Sequence, residues 1–271
     1  MTQIKKLLGK SALVTGGAGI LGAEFCKILA ENGANVAVLD LDADNANKLS
    51  TKLKSQFPDS IFQGIGCDLK DELEVESAVA KVVERLGRID ILVNNAATKT
   101  DDLVSFFESF ENYSLDTWKE VMSVNVDAMF LTAKAVGKIM VGDKMGGSIV
   151  QIASIYGLVG TDASIYEGSK YLGCQINTPA VYSTSKAAVL GLTKYLSTYW
   201  GNSGIRVNSI SPGGVFSGQN DEFVSRYSSK VPMARMGDKK EMAAALLFLA
   251  SEDSSYVTGQ NLVVDGGFTA W

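Results

Sequence analysis

Seven short apolar runs constrain the fold of this 271-residue chain, because each has the length of a β-strand and a longer helical pattern follows most of them. The runs are apolar almost throughout, as expected of strands in a sheet that helices cover on both faces. Alternation of this kind predicts an α/β fold with a doubly wound parallel sheet of about seven strands. We find no linker, and therefore predict a single domain over residues 1–271. The strand runs are 11–16, 35–40, 61–68, 89–97, 147–154, 205–213 and 261–267, and the helical patterns lie near 20–32, 43–56, 71–86, 114–141, 180–200 and 239–251.

Composition narrows the range of partners. The net charge is −5 and there is no long basic run, which argues against nucleic acid or an anionic membrane as the main partner. No apolar run reaches the roughly 18 residues of a membrane span, and the N-terminal stretch lacks the features of a signal peptide. The three cysteines, Cys26, Cys67 and Cys174, are far apart and are expected to be thiols. We therefore expect a cytoplasmic protein with a small-molecule substrate.

The chain contains no histidine. A Ser-His-Asp triad, a Cys-His pair and a histidine metal site are therefore excluded, and we expect no metal. Any catalysis must use tyrosine, lysine, serine, asparagine or a carboxylate.

A glycine-rich turn, "VTGGAGILG", joins the first strand to the first helix and contains Gly16, Gly17, Gly19 and Gly22. Glycines allow a tight turn and a close approach of backbone to a pyrophosphate, and the following helix supplies N–H groups and the positive end of its dipole. Such a turn can also exist without a ligand. Here Asp40 ends the second strand 24 residues after Gly16, which favours a dinucleotide site.

Asp40 also bears on which dinucleotide is bound. Its carboxylate can accept hydrogen bonds from a ribose 2′-hydroxyl and would repel a 2′-phosphate, and no arginine lies near it in the sequence. These features favour NAD over NADP. The alternative is that Asp40 caps the next helix, although Asp42 or Asp44 could serve instead.

These features continue along nearly the whole chain as a set of motifs that resembles the short-chain dehydrogenase/reductase family. The motifs are "TGGAGILG", "CDL" at 67–69, "NNAA" at 94–97, "VNV" around Asn125, "IAS" ending at Ser154, "YSTSKAAVLGLTK" at 182–194, "RVNSISPGGV" at 206–215 and "GQNLVVDGG" at 259–267. The resemblance implies a Rossmann-like single domain, a nicotinamide cofactor and four catalytic residues, which are Asn125, Ser154, Tyr182 and Lys186.

The same resemblance implies a set of cofactor contacts and an assembly. A homotetramer or homodimer would be built through the helices near 114–141 and 180–200. The implied cofactor-binding residues are Gly16, Gly19, Ile20, Leu21, Gly22, Asp40, Leu41, Asp68, Leu69, Asn94, Ala96, Tyr182, Lys186, Pro212, Gly213 and Val215.

The glycine spacing departs from the pattern of the short members of the family, which is TGxxxGxG. Here Ile20 stands at the position of the middle glycine, and the glycine is Gly19. This spacing resembles extended members that act on nucleotide sugars, but the chain has no room for their C-terminal substrate domain. We therefore retain the short form and take the spacing as a hint toward sugar substrates.

The pattern Tyr-x-x-x-Lys occurs twice, and spacing and context disagree on which pair is catalytic. Tyr166 lies 12 residues after Ser154, the usual interval in relatives, whereas Tyr182 lies 28 residues after it. Positions i and i+4 face the same way only on a helix, and the residues after Tyr182 form a good helical pattern. The residues after Tyr166 are interrupted by two glycines and a proline. We therefore assign Tyr182 with Lys186, which implies an insertion at about 157–179.

The assigned residues suggest a proton-transfer mechanism. A neighbouring lysine ammonium is expected to lower the pKa of Tyr182, so that the phenol can act as base for alcohol oxidation and as acid for ketone reduction. Ser154 would hold the substrate oxygen, and the family resemblance implies that Asn125 holds Lys186 in place through water.

Two segments are expected to shape the substrate pocket, the insertion and the stretch 215–237. The loop 98–113, which carries Phe106, Phe107 and Phe110, is expected either to cover the site or to lie at a subunit contact. The alternative is that all three segments only face solvent. The first two are rich in hydroxyl, amide and charged groups, which favours a sugar or polyol over an acyl chain. The insertion also resembles members associated with flagellin modification and surface-sugar synthesis. The alternatives are a 3-oxoacyl-[acyl-carrier-protein] reductase and a non-catalytic NAD-binding sensor or scaffold.

Overall fold

The computed structural model describes residues 5–271, so the first four residues of the stretch considered for a signal peptide lie outside the described residues. Its centre is a seven-stranded sheet in the order β3-β2-β1-β4-β5-β8-β9, in which every pairing is parallel. The sequence prediction of a doubly wound sheet is therefore confirmed. The strands are β1 Ser11–Thr15, β2 Asn35–Asp40, β3 Phe62–Gly66, β4 Ile91–Asn94, β5 Gly147–Ile152, β6 Lys170–Tyr171, β7 Cys174–Gln175, β8 Ile205–Pro212 and β9 Asn261–Val264.

Helices cover both faces of the sheet and give it two hydrophobic cores. Phe25 and Leu246 lie in the core on one face, and Val79 and Val136 lie in the core on the other. The chain order reverses between β1 and β4, which is where doubly wound sheets open a crevice for ligands at the carboxyl ends of their strands. The helices are α1 Ile20–Glu31, α2 Ala43–Gln56, α3 Glu72–Leu86, α4 Leu103–Phe106, α5 Leu115–Met122, α6 Ala128–Asp143, α7 Ala180–Trp200, α8 Asp221–Ser229 and α9 Lys239–Ala250.

The helical pattern near 114–141 is not one regular helix. A π-helical turn at Ser123–Asp127 separates α5 from α6 and has Asn125 at its centre. Such turns widen a helix by one residue and are common at functional sites. The interruption therefore falls on one of the four residues predicted to be catalytic.

The insertion folds as a separate layer over the carboxyl end of the sheet. A 3₁₀ turn at Ile155–Gly157 leads into it, and the insertion itself contains a second 3₁₀ turn, Ala163–Tyr166, followed by the antiparallel hairpin β6–β7. Ile165 and Tyr166 pack with Tyr227 of α8 in a small hydrophobic cluster. The insertion and the segment around α8 thus cover the site together.

Within residues 5–271, no helix has both the length and the apolar character needed to cross a membrane.

Candidate active site

The glycine turn after β1 is constrained by its own backbone. Gly16 has φ +57°, and a Cβ on Gly22 would lie 2.1 Å from the carbonyl oxygen of Gly16. The side chain of Asn95 holds the turn from the other side, because its Nδ2 donates to the carbonyl oxygens of Thr15 at 3.1 Å and Gly16 at 3.0 Å. The family motif predicts a cofactor contact for its neighbour Asn94 and gives no role to Asn95.

The N-terminus of α1 is open for a ligand. Gly19 occupies the N-cap position, and no side chain of the described residues bonds to the N–H groups of this end. A Cβ on Gly19 would contact only the carbonyl oxygen of Gly16, at 3.3 Å. Available N–H donors at the positive end of a helix dipole fit a pyrophosphate.

Asp40 ends β2 beside this turn. Its Oδ2 accepts from the backbone N–H of Ala18 at 3.0 Å, and its Oδ1 accepts from the N–H of Asp42 at 3.3 Å. Asp42 is the residue that caps α2, because its Oδ1 accepts from the N–H of Asn45 at 3.0 Å. Asp40 is therefore not the helix cap, and its position fits a ribose hydroxyl. The glycine turn, the open helix end and Asp40 together fit a nicotinamide dinucleotide.

The other residues expected at the cofactor lie around the same crevice. Asn94 is fully buried, and its Nδ2 donates to the carbonyl oxygen of Met129 at 3.1 Å and to Oε1 of Gln151 at 3.3 Å. These bonds turn the Asn94 amide nitrogen into the sheet, and the predicted cofactor contact of Asn94 stays a prediction. The remaining residues lie at the start of α1, at the end of β8 or in the loops that follow the strands: Ile20, Leu21, Leu41, Asp68, Leu69, Ala96, Pro212, Gly213 and Val215.

Tyr182 and Lys186 lie one turn apart on α7, as the helix argument required. The Lys186 ammonium is 5.8 Å from the centroid of the Tyr182 ring and donates to the carbonyl oxygen of Ile152 at 2.9 Å. Lys186 is only 3% exposed, and burial lowers its pKa to about 8. A lysine with this pKa gains or loses its proton close to neutral pH.

Ser154 is the second residue after β5 and is buried beside Tyr182. Burial raises the pKa of the Tyr182 phenol, and the Ser154 hydroxyl acts in the opposite direction. The expectation that Lys186 would lower this pKa is therefore not met by the protein alone, because desolvation outweighs the other effects. A positive charge supplied by the cofactor would act in the same direction as Ser154.

Asn125 forms hydrogen bonds both to the loop that follows β4 and to helix α7. Its Oδ1 accepts from the N–H of Thr98 at 2.9 Å, and its Nδ2 donates to Oγ of Ser185 at 3.1 Å. Neither bond reaches Lys186. The side chain instead fixes Ser185, the residue before Lys186, so Asn125 holds the turn of α7 that carries Lys186.

The competing pair does not share a helix. Tyr166 lies in a 3₁₀ turn and Lys170 lies in the exposed strand β6. Only the Tyr182–Lys186 pair has the geometry that the chemistry requires.

A cavity of about 440 Å³ lies in front of Tyr182. The charged side chains of the flanking segments form ion pairs with one another, such as Arg226 with Glu167 at 3.2 Å and Lys230 with Asp162 at 2.8 Å. The wall is consequently more aromatic than the composition of these segments indicated. Its aromatic residues are Phe106, Phe107, Tyr156, Tyr166, Phe223 and Tyr227. Phe110, the third phenylalanine of the loop 98–113, is exposed and does not line the cavity.

Burial of Lys186 predicts a pH-dependent stability. Between pH 8 and the lysine pKa of 10.5 in an unfolded chain, the unfolded state binds a proton that the folded state has lost. The unfolding free energy should therefore rise with pH in this window, with a slope approaching about 1.4 kcal/mol per pH unit. Tyrosine ionisation acts in the opposite direction above pH 10, so the comparison should stop near pH 9.5. Urea unfolding from pH 7 to 9.5 should show that the unfolding free energy of the wild type minus that of Lys186→Met increases with pH, and a pH-independent value of this quantity would contradict the assignment.

Comparison with known proteins agrees with this geometry. The family model described as enoyl-(acyl carrier protein) reductase matches residues 17–269. D-threitol dehydrogenase of Mycolicibacterium smegmatis is 34% identical, over 97% of this chain and 94% of its own. Trans-4-hydroxycyclohexanecarboxylate dehydrogenase of Sinomonas cyclohexanicum is 35% identical, over 96% of this chain and 93% of its own. The structure of an NAD⁺-bound xylitol dehydrogenase superposes with a TM-score of 0.85 at 30% identity, over 97% of this chain and all of that one.

The family match spans nearly the whole chain, and the relatives and the solved structure are matched over almost their full lengths. Together with the tyrosine–lysine pair on α7 and the glycine turn, these matches establish that the chain belongs to the short-chain dehydrogenase/reductase family and is an NAD(P)-dependent oxidoreductase acting on alcohol groups.

Proposed function

We propose that this protein is an NAD-dependent dehydrogenase that interconverts a secondary alcohol of a polyol or sugar derivative with its ketone. The observation that carries the proposal is that Ser154 and Tyr182 line a cavity whose wall also presents other hydroxyl groups, while Lys186 is buried one helical turn from Tyr182. Relatives named for threitol and xylitol support this substrate class. A role in flagellin modification or surface-sugar synthesis stays a prediction.

The residues divide the reaction between them. The Ser154 hydroxyl would hold the reacting oxygen of the substrate and stabilise charge that develops on it. The Tyr182 phenol would take the proton of the alcohol in oxidation and return it in reduction. The buried Lys186 ammonium would stabilise the phenolate. A nicotinamide cofactor, when bound, accepts or supplies the hydride.

Asp40 supports NAD as the preferred cofactor, and its replacement provides a test. Asp40→Asn keeps the shape but removes the charge, so kcat/KM for NAD⁺ should fall by roughly 10- to 100-fold, as expected for loss of a charge-assisted hydrogen bond. The ratio of NAD⁺ to NADP⁺ efficiency should fall with it. Asp44→Asn, an exposed acid in the first turn of α2, is the matched control. Faster turnover with NADP⁺ by the wild type would reject the preference for NAD.

An alicyclic alcohol is the second candidate substrate. The aromatic wall of the cavity favours it, as does the relative named for trans-4-hydroxycyclohexanecarboxylate. A panel of polyols, sugars, sugar phosphates and alicyclic alcohols, followed by NADH absorbance, separates the two candidates. Higher kcat/KM for every alicyclic compound than for any polyol would reject the polyol proposal.

A homodimer or homotetramer is proposed for the assembly. Phe130 on α6 and Tyr195 and Tyr199 on α7 are exposed on the two helices that the family resemblance assigns to the interface. Large exposed apolar side chains on neighbouring helices are consistent with a subunit contact. Light scattering after size-exclusion chromatography tests this, and a monomer would reject it.

A further inference from the structure

Three hydroxyl groups form a chain on the wall of the cavity. The Tyr166 hydroxyl lies 2.9 Å from the Tyr156 hydroxyl and 2.6 Å from Oγ1 of Thr178. All three residues line the cavity together with Tyr182. Tyr166 and Thr178 belong to the insertion, whereas Tyr156 follows Ser154 by two residues. The insertion thus brings two hydroxyls to a residue that lies next to the catalytic serine.

The number of hydroxyl protons determines which group donates and which accepts in each hydrogen bond of this chain. A phenol carries one proton, and the geometry assigns the Tyr166 proton to the bond with Tyr156. Thr178 must therefore donate its own proton to Tyr166. Tyr156 accepts from Tyr166, and its own hydroxyl donates to no group among residues 5–271. The chain therefore ends in one unused donor, on the wall of the substrate cavity.

The surroundings hold this donor in place and keep it protonated. The backbone N–H of Tyr156 donates to Oγ of Ser154 at 3.2 Å, and its ring packs edge-on against Phe268 at 6.5 Å. The Tyr166 ring packs against Phe223 of α8 at 5.7 Å. Burial raises the pKa of the Tyr156 phenol, so it stays a neutral donor throughout the working pH range.

We propose that Tyr156 donates its hydroxyl to a second oxygen of the substrate, and that Tyr166 and Thr178 are positioning residues that orient this donor. The inference rests on the proposed polyol function and deepens it: the preferred substrate carries at least one hydroxyl besides the one that reacts. A site built to hydrogen-bond a hydroxyl rejects an analogue that lacks it, because a buried donor is then left unpaired. The insertion would thereby select polyols over monohydric alcohols.

The test compares substrates that differ in their hydroxyl groups. kcat/KM is measured with D-threitol and 2,3-butanediol against 2-butanol, for wild type, Tyr156→Phe, Tyr166→Phe and Thr178→Val. The preference for the polyhydroxy compounds over 2-butanol should fall by roughly 10- to 100-fold in Tyr156→Phe. It should fall less in Tyr166→Phe and Thr178→Val. The loss on 2-butanol should be smaller than the loss on the polyhydroxy compounds, because 2-butanol has no second hydroxyl for Tyr156 to bind. The double variant Tyr156→Phe/Tyr166→Phe should show the same preference as Tyr156→Phe alone, since Tyr166 acts through Tyr156.

Tyr171→Phe is the matched control, because it removes a tyrosine hydroxyl from the exposed hairpin of the same insertion. Its preference should equal that of wild type. An unchanged preference in Tyr156→Phe, or an equal loss on 2-butanol and on the polyols, overturns the inference while leaving polyol oxidation intact. If wild type oxidises 2-butanol as efficiently as D-threitol and 2,3-butanediol, or none of the three, both the polyol proposal and the inference are rejected.

Discussion

Replacement of Tyr182 by phenylalanine is expected to lower kcat by roughly 10²- to 10⁴-fold, which is the usual contribution of general acid–base catalysis. The substitution removes the hydroxyl that carries the proton and leaves the ring that packs on α7. The melting temperature should therefore stay close to that of the wild type, and NADH affinity should fall by much less than kcat, because Tyr182 is only one of the many residues expected to contact the cofactor. The measurements are NADH absorbance with any alcohol that the wild type oxidises, NADH fluorescence for binding, and thermal unfolding.

Tyr166→Phe is the control for Tyr182→Phe, because Tyr166 belongs to the other Tyr-x-x-x-Lys pair. Tyr166 has the sequence spacing from Ser154 that relatives favour, but its Lys170 partner lies in an exposed strand. Its loss should lower kcat on a monohydric alcohol by less than tenfold. If Tyr166→Phe were inactive and Tyr182→Phe active, the spacing from Ser154 would be the better guide and the active site would have to be reassigned.

Sequence patterns predicted the sheet and its main helices, because strands that are buried on both faces are apolar along their whole length and are easy to recognise. The strand runs are continuous and apolar, and the helices start and end within a few residues of their predicted bounds. The π-helical turn around Asn125 was missed, since one extra residue in a turn leaves the helical period almost unchanged. Helix α8 and the hairpin β6–β7 were also missed, because elements this short are stabilised mainly by what they pack against.

Motifs predicted a set of site residues, but they could not predict the direction of individual side chains. Asn94 and Asn95 are adjacent and identical, and only the alternation along β4 decides that Asn94 is buried and Asn95 reaches the glycine turn. The charged residues of the insertion likewise looked suited to a polar pocket. Arg226 pairs with Glu167 across 59 positions of sequence, and a contact at that separation leaves no local pattern. Whether the cavity wall is polar or aromatic therefore depends on tertiary contacts, which the sequence patterns do not show.

Gly22→Ala and Gly19→Ala should separate the two roles of the glycine turn, and the first should have the larger effect. A Cβ on Gly22 would lie 2.1 Å from the carbonyl oxygen of Gly16 and 2.8 Å from Cα of Gly17, and neither backbone atom can move without opening the turn. Overpacking of this kind costs about 1–3 kcal/mol or more, so the melting temperature should fall by several degrees and NADH binding should weaken strongly.

Gly19 has a φ of −71°, which alanine adopts without strain, and its Cβ would contact only the Gly16 carbonyl oxygen at 3.3 Å. Gly19→Ala should therefore keep the wild-type melting temperature. Its added methyl group would point into the space at the open end of α1, so NADH should bind more weakly if the pyrophosphate lies there. Thermal unfolding without cofactor, paired with NADH titration by fluorescence, reads both effects. Unchanged NADH affinity in Gly19→Ala would move the pyrophosphate away from this helix end, whereas a lowered melting temperature would show that the departure from the family spacing is needed for the turn itself.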